Sequence, residues 1–266
     1  MSMPFFKPLS AVVIASALLM GCQPSSNDKT ATQSQAESAP TAKTQTNTSA
    51  PAASQSTTSV QSSAPAEVME QPITILALGD SLTEGLGLPE TEAYPAQLEA
   101  ALKQAGYVNA KVINSGLSGE TSTGLVNRLD WVLKTKPDIT ILTTGANDAM
   151  RGIDVATIDS NIRTAIKRLQ DQGSVVVLGG MQIYDNLGDD YVKSFSAIYP
   201  NIAKDTSVVF IPFFLDGVGG DASLNQADAI HPTKEGYARI VNNNILPVLK
   251  PALEKVAAQK QAQTAQ

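Results

Sequence analysis

His231 is the single histidine in a chain of 266 residues, so a proton relay through imidazole has one place to run. Asp228 stands three residues before it, in "DAIHP". At that spacing, one helical or turn-like step, the carboxylate reaches the imidazole Nδ1–H. There it fixes the tautomer and steadies the imidazolium formed when a proton arrives. Pro232 follows directly and suits the first turn of a helix, which would hold the ring at a defined edge. A base of this kind serves a hydroxyl nucleophile. Ser81 in "LALGDSLTEG" is the candidate, placed where an apolar run breaks into a turn. Acyl transfer also needs donors aimed at the developing oxyanion. Gly116 in "INSGLSGET" can bring a backbone N–H close because it lacks a Cβ. Asn147 in "TTGANDAM" offers a side-chain amide, and the Ser81 N–H is a third donor. Singly, each has a plain alternative: a turn serine, a turn asparagine, a histidine that begins a helix.

Elements that bring these residues together are legible in the apolar pattern. Five strand-length runs, at Ile73–Gly79, Lys111–Gly116, Asp138–Gly145, Ser174–Met181 and Ser207–Phe214, alternate with stretches of helical period. One helix is predicted from about Thr157 to Gln172, ended by Gly173. Another, over "DYVKSFSAIYPNIAKD", is predicted to kink or break at Pro200. Near-continuous Val, Ile and Leu runs indicate a sheet covered on both faces. Strand–helix alternation implies right-handed crossovers and parallel strands. The expected fold is α/β, a three-layer αβα sandwich around a five-stranded parallel, flavodoxin-like sheet. Ligands of such sheets bind beyond the carboxyl ends of the strands. Asp80 and Ser81, Asn114 through Ser118, and Asn147 with Asp148 all fall there.

Other chemistries find little support. There is no Gly-Lys-Ser/Thr phosphate loop and no G-x-G-x-x-G after the first strand. Leu82 and Thr83 after Ser81 rule out the G-x-S-x-G elbow. No side-chain cluster has metal-ligand spacing, so neither a metal nor another cofactor is expected. With 19 Lys and Arg against 25 Asp and Glu, the formal charge is −6, and no basic stripe suggests a nucleic-acid partner.

The chain opens with Lys7 and the short apolar run "LSAVVIASALLM", then reads "GC". This has the form of a secretory signal, residues 1–21, and its end resembles the lipobox of bacterial lipoproteins. Cys22, the lone cysteine, would be the lipidated residue and would anchor the protein to a membrane. Gln23 in place of Asp favours the outer membrane, facing the periplasm. Residues 22–70, rich in Ser, Thr, Ala, Gln and Pro, form an expected disordered tether. As a flexible coil it would span roughly 40 Å. The folded domain is expected over 71–257, with a flexible tail at 258–266.

Four segments together, "GDSL", a glycine after the second strand, "GxND" and "DxxH", resemble the SGNH (GDSL) hydrolase family over about Ile73 to Leu249. Ser81, Gly116, Asn147 and His231 occupy its signature positions. "NSGLSGETS", "GANDAMRG", "FSAIYP" and "IPFF" look like its bacterial arylesterase, acyl-CoA thioesterase and lysophospholipase branch. The resemblance implies that Ser81 is acylated, His231 serves as base and acid, and Asp228 orients it. Ser81, Gly116 and Asn147 would form the oxyanion hole. Ala146 stands where the branch usually has a second glycine. The implied substrate is a small acyl ester or a lysophospholipid, and the protein is separately expected to be a monomer. Met150, Ile153, Ile183 and Tyr184 are expected to wall the acyl chain, or alternatively to cap the sheet as core residues. Two rival readings use the same fold: a carbohydrate O-acetyl esterase acting on envelope polysaccharide, and a non-catalytic envelope lipoprotein. Activity is expected to fall in acid as His231 protonates.

Overall fold

The computed structural model describes residues 68–264. The signal segment, Cys22 and almost all of the tether lie outside these residues. Within them five parallel strands, β1 (Ile73–Gly79), β2 (Ala110–Gly116), β3 (Ile139–Thr143), β4 (Val175–Gly179) and β5 (Val209–Ile211), form one sheet in the order β2-β1-β3-β4-β5. That order is flavodoxin-like, as the run pattern predicts, with the switch point between β1 and β3. Register aligns Gly79 with Gly116 on one side and with Thr143 on the other. The carboxyl ends of β1, its neighbour β3 and the edge strand β2 therefore finish level, and whatever follows them shares one end of the sheet.

Helices cover both faces. Alternating with the strands are α1 (Ser81–Glu84), α2 (Tyr94–Gln104), α3 (Ser122–Val132), α4 (Ala146–Met150), α5 (Val155–Asp171) and α6 (Asp189–Asp205). After β5 come α7 (Lys234–Arg239), a wide turn Ile240–Ile245, and α8 (Leu246–Thr264). The amphipathic logic is plain in α5, where Ile158, Ile162, Ala165, Ile166 and Leu169 form the buried stripe. Asp154 caps its start through Thr157 N–H at 3.2 Å, so the helix begins two residues before the predicted Thr157.

Three expectations differ from the structure. First, α6 runs unbroken through Pro200. Pro200 points to solvent while Phe195, Ile198, Tyr199 and Ile202 on the other face are buried, and the Tyr199 hydroxyl donates to Thr144 O at 2.8 Å. Packing and that tie outweigh the loss of one helical hydrogen bond on the wet side. Second, β5 has only three residues, because Pro212 offers no N–H to continue the ladder. Third, residues 258–264 are not a tail but the last turns of α8. Lys260 near its end donates to Pro72 O at 2.8 Å and to Asp138 Oδ2 at 2.7 Å. Asp138 also accepts Thr74 N–H at 2.8 Å, so the helix end is fastened under β1 and β3. At the other end, Met69 N–H bonds Gly106 O at 2.9 Å, which ties the chain down just before the predicted boundary at 71.

Candidate active site

Ser81 is the first residue of α1, one turn of helix that starts directly after β1. Asp80 caps this helix: its Oδ1 accepts Leu82 N–H at 3.1 Å and its carbonyl accepts Glu84 N–H at 2.9 Å. Gly85, left-handed at φ +86°, ends it. At this position the Ser81 N–H has no carbonyl within the helix to bond and stays available to a ligand. The serine hydroxyl faces His231, with Oγ 2.8 Å from Nε2 across 150 residues of chain.

Asp228 completes the line, with Oδ2 2.6 Å from Nδ1 of His231. A carboxylate only accepts, so Nδ1 carries the proton and the Nε2 lone pair receives the Ser81 O–H. The step between Asp228 and His231 is the turn-like one rather than the helical one. Asp228 Oδ1 accepts the N–H groups of Ile230 and His231 at 2.9 and 3.0 Å, with Ala229 left-handed at φ +59°. These donors, His231 backbone first, then its ring and Ile230, hold the Asp228 carboxyl down at about 2. The expectation that Pro232 opens the helix is corrected. Helix α7 begins at Lys234 behind a Thr233 cap to Gly236 N–H at 3.2 Å. Pro232 instead lies in a bridge with Asn225, and Gln226 N–H bonds His231 O at 2.8 Å. That small closed loop, not a helix, presents the imidazole.

The oxyanion donors fall out differently from expectation. Asn147 projects from α4, and its Nδ2 donates to Asp80 Oδ2 at 3.3 Å. Asp148 beside it is fully buried, accepting Ser122 N–H at 2.8 Å and Ser122 O–H at 2.6 Å. Gly116 is a strand residue level with Gly79, and its N–H is taken by Asn114 Oδ1 at 3.0 Å. A Cβ on Gly116 would lie 2.0 Å from Glu84 N, so this glycine is required by the close approach of α1 to β2. It is a packing glycine with an occupied donor. The second glycine of the same motif, Gly119, sits beyond the strand end at φ +75°. Among the described residues its N–H has no acceptor.

The Gly119 loop is held on both sides. Arg151 Nη2 donates to Gly119 O at 2.7 Å. Arg128 grips Glu120 with two bonds of 2.6 Å, and its other donors reach Ser115 Oγ at 2.7 Å, Ser115 O at 2.8 Å and Gly79 O at 3.3 Å. One guanidinium thus ties the loop to the ends of β1 and β2. Gly119 and Arg128 are not singled out by the sequence, and Asp80 is noted there only as a polar residue at a strand end. The signal for Gly119 was present, since "NSGLSGET" carries two glycines and only the later one lies past the strand.

Burial of Asp80 is the main electrostatic feature beneath the nucleophile. Desolvation pushes its carboxyl up to about 6, against the lowering effects of Leu82 N–H, Asn147 and nearby His231. The expected acyl wall divides in two. Met150 and Tyr184 are exposed, whereas Ile153 and Ile183 are half-buried and pack on the core. The Tyr184 hydroxyl donates to Ala229 O at 3.1 Å, bracing the histidine loop. Leu86, Leu117, Leu187 and Ile230 are exposed apolar residues on neighbouring loops of the same edge.

A serine with a base, an orienting carboxylate and free donors at one sheet edge can form and resolve an acyl-enzyme. Known proteins place the chain accordingly. Residues 77–239 match the model of the GDSL-like lipase/acylhydrolase family. Esterase TesA of Pseudomonas aeruginosa is 36% identical over 181 residues, covering 68% of this chain and 89% of that protein. An arylesterase of Vibrio mimicus is 35% identical, covering 60% and 80%. Thioesterase 1/protease 1/lysophospholipase L1 of Escherichia coli is 31% identical, covering 64% and 80%. A crystal structure of TesA superimposes with TM-score 0.64 at 36% identity, covering 67% of this chain and 99% of that one. The psychrotrophic esterase EstA of Pseudoalteromonas sp., inhibited by monoethylphosphonate, does so at 0.61 and 30%, covering 68% and 97%. The chain belongs to the GDSL-like lipase/acylhydrolase family and is an ester hydrolase of the SGNH type.

Proposed function

We propose that the enzyme cleaves acyl esters and thioesters of modest chain length through an acyl-enzyme on Ser81, with lysophospholipids and aryl esters within its range. The observation that carries this reading is the continuous relay from Ser81 Oγ to His231 at 2.8 Å and on to Asp228 at 2.6 Å. As Oγ attacks the carbonyl carbon, its proton passes to His231 Nε2 and the carbonyl oxygen becomes an oxyanion. The N–H groups of Ser81 and Gly119 and the Asn147 amide receive that charge. Collapse expels the alcohol or thiol, which takes the proton from His231. Water then attacks the acyl carbon by the same route, returning the serine and releasing the acid.

The exposed apolar side chains around this edge support acyl-chain substrates. Leu86, Leu117, Met150, Tyr184, Leu187 and Ile230 come from the connections after all five strands. Such a rim suits a flexible hydrocarbon lying across the surface and has no special use for an acetyl group on a sugar. The names of the relatives point the same way. The short apolar leader ending at Cys22 supports a lipid-anchored enzyme in the bacterial envelope, on the outer membrane.

Fluorophosphonate labelling of the purified protein beside Ser81→Ala and His231→Ala tests the mechanism. Wild type is expected to label and both variants to lose it; equal labelling of wild type and Ser81→Ala overturns the assignment. A p-nitrophenyl ester series from C2 to C16 tests the substrate class, with kcat/KM expected to peak above C2. A maximum at acetate would favour the deacetylase reading instead. Palmitate-analogue labelling in cells, lost in Cys22→Ser, is expected of the anchor; label retained in Cys22→Ser refutes it.

A further inference from the structure

An asparagine serves an oxyanion only with its nitrogen end toward it, and the two ends of an amide are nearly the same shape. Something must tell them apart at Asn147. Its backbone is set by Asp148, whose buried carboxylate is locked onto Ser122 at 2.8 and 2.6 Å. That leaves rotation of the side-chain amide, and among the described residues it makes one hydrogen bond: to Asp80 Oδ2, 3.3 Å from Nδ2. We propose that Asp80 is a positioning residue for the oxyanion hole: its carboxylate holds one N–H of the Asn147 amide and so commits the other to the substrate's developing charge.

The geometry makes this a one-way device. Asp80 is 1% exposed, and its other oxygen is held by Leu82 N–H at 3.1 Å, so it cannot follow a rotating neighbour. An ionised carboxylate has no proton to offer. Turning Asn147 over would set its Oδ1 lone pairs against those of Asp80 in a water-poor place, where an unmade hydrogen bond is expensive. The acid before the nucleophile therefore has two jobs. It starts the helix that carries Ser81, and it reaches across β1 to β3 to orient the donor on the next strand end. An asparagine at position 80 that keeps the cap spends its one amide oxygen on Leu82 N–H, so its nitrogen would face Asn147 and favour the wrong end of that amide.

This proposal rests on Asn147 being an oxyanion donor, and the experiment separates the two ideas. It is a double-mutant cycle on p-nitrophenyl butyrate, with kcat and KM for wild type, Asp80→Asn, Asn147→Ala and the pair. Asn147→Ala is expected to lower kcat about 100-fold with KM within about twofold. Asp80→Asn is expected to lower kcat about tenfold in wild type and less than about twofold in the Asn147→Ala background. The same tenfold loss in both backgrounds would mean that Asp80 acts on His231 or on the helix, and the proposal fails. An unchanged kcat in Asp80→Asn alone also overturns it. An unchanged kcat in Asn147→Ala removes the donor reading itself, while Ser81 labelling would stand. Affinity for an alkyl trifluoromethyl ketone, which forms a tetrahedral adduct, is expected to drop in parallel with kcat in Asp80→Asn. Should that variant not fold, Asp80→Ser keeps a capping oxygen without the charge and enters the same cycle.

Discussion

Two aspartates flank the Ser81–His231 pair, and the structure treats them oppositely. Asp80 lies under the nucleophile, 1% exposed, and burial pushes its carboxyl up to about 6. Asp228 lies on the histidine loop with its side chain 46% exposed, and hydrogen bonds hold it down at about 2. Both accept N–H bonds, so the presence of donors does not separate them. What does is water. Asp228 receives two backbone donors and the imidazole while staying solvated, and these hold its carboxyl below the usual aspartate range. Asp80 has one backbone donor and one long amide bond to offset near-complete desolvation. One carboxylate is a solvated acceptor against the imidazole, and the other a buried, fixed acceptor against the Asn147 amide.

The contrast is broken first at the relay itself. Ser81→Ala and His231→Ala are each expected to lower kcat by at least about 10⁴-fold, because the relay acts as a unit. Asp228→Asn keeps shape, but with its amide oxygen on the Ile230 and His231 N–H groups it turns a donor toward Nδ1, and a fall in kcat of about 10³-fold is expected. A loss below tenfold would show that the exposed carboxylate does not set the tautomer. The two glycines form the next test. Gly119→Ala is expected to fold and to lose about tenfold in kcat, since its φ of +75° strains any other residue and moves the free N–H. Gly116→Ala is expected to yield insoluble protein, because the new Cβ would stand 2.0 Å from Glu84 N.

Stability against pH sharpens the comparison further. The folded value of Asp80, about 6, lies above its ordinary 3.8, so protonation favours the folded state. Urea midpoints of wild type measured against Asp80→Asn should therefore rise as pH is lowered through 6 toward 4. The whole effect is on the order of 2–3 kcal/mol. Asp228 has the reverse sign: its contribution is present above about 3.8 and is lost as pH falls through about 2. A flat difference between wild type and Asp80→Asn across this range would contradict the buried-acid description. The smallest effects belong to the rim. Met150→Ala and Ile183→Ala are expected to shift chain-length preference by about 1–2 kcal/mol at most, read from kcat/KM across the ester series. Met150, being exposed, should move preference for longer chains with little change in melting temperature. Ile183, packed on the core, should show the opposite balance.

Much of this was legible in the residues. Continuous apolar runs separated by helical stretches specify a covered parallel sheet, and the sheet rule sends ligands to the carboxyl ends. His231, being alone, could be paired with Asp228 by spacing and with Ser81 by chemistry. Three of the misreadings share one cause. Pro200 in α6, Pro232 before α7 and Gly116 in β2 were judged by local propensity, and in each case a neighbour in space decided the outcome. Those neighbours were the packed face of α6, the Asn225 bridge, and the backbone of α1.

The sequence by itself determined the kinds of group present, the order in which strands deliver them, and the edge at which they gather. Periodicity and side-chain chemistry are local properties, and they carry that far. Which glycine N–H is left open, which end of the Asn147 amide meets Asp80, and how far each aspartate is desolvated were decided by tertiary structure. These depend on register, on distances across strands, and on how much water is excluded. Gly116 and Gly119 differ by three positions in sequence, yet one is locked against Glu84 and the other has an N–H with no acceptor among the described residues. Asp80 and Asp228 are the same residue type, yet desolvation raises one carboxyl above the ordinary aspartate value and solvated donors hold the other below it.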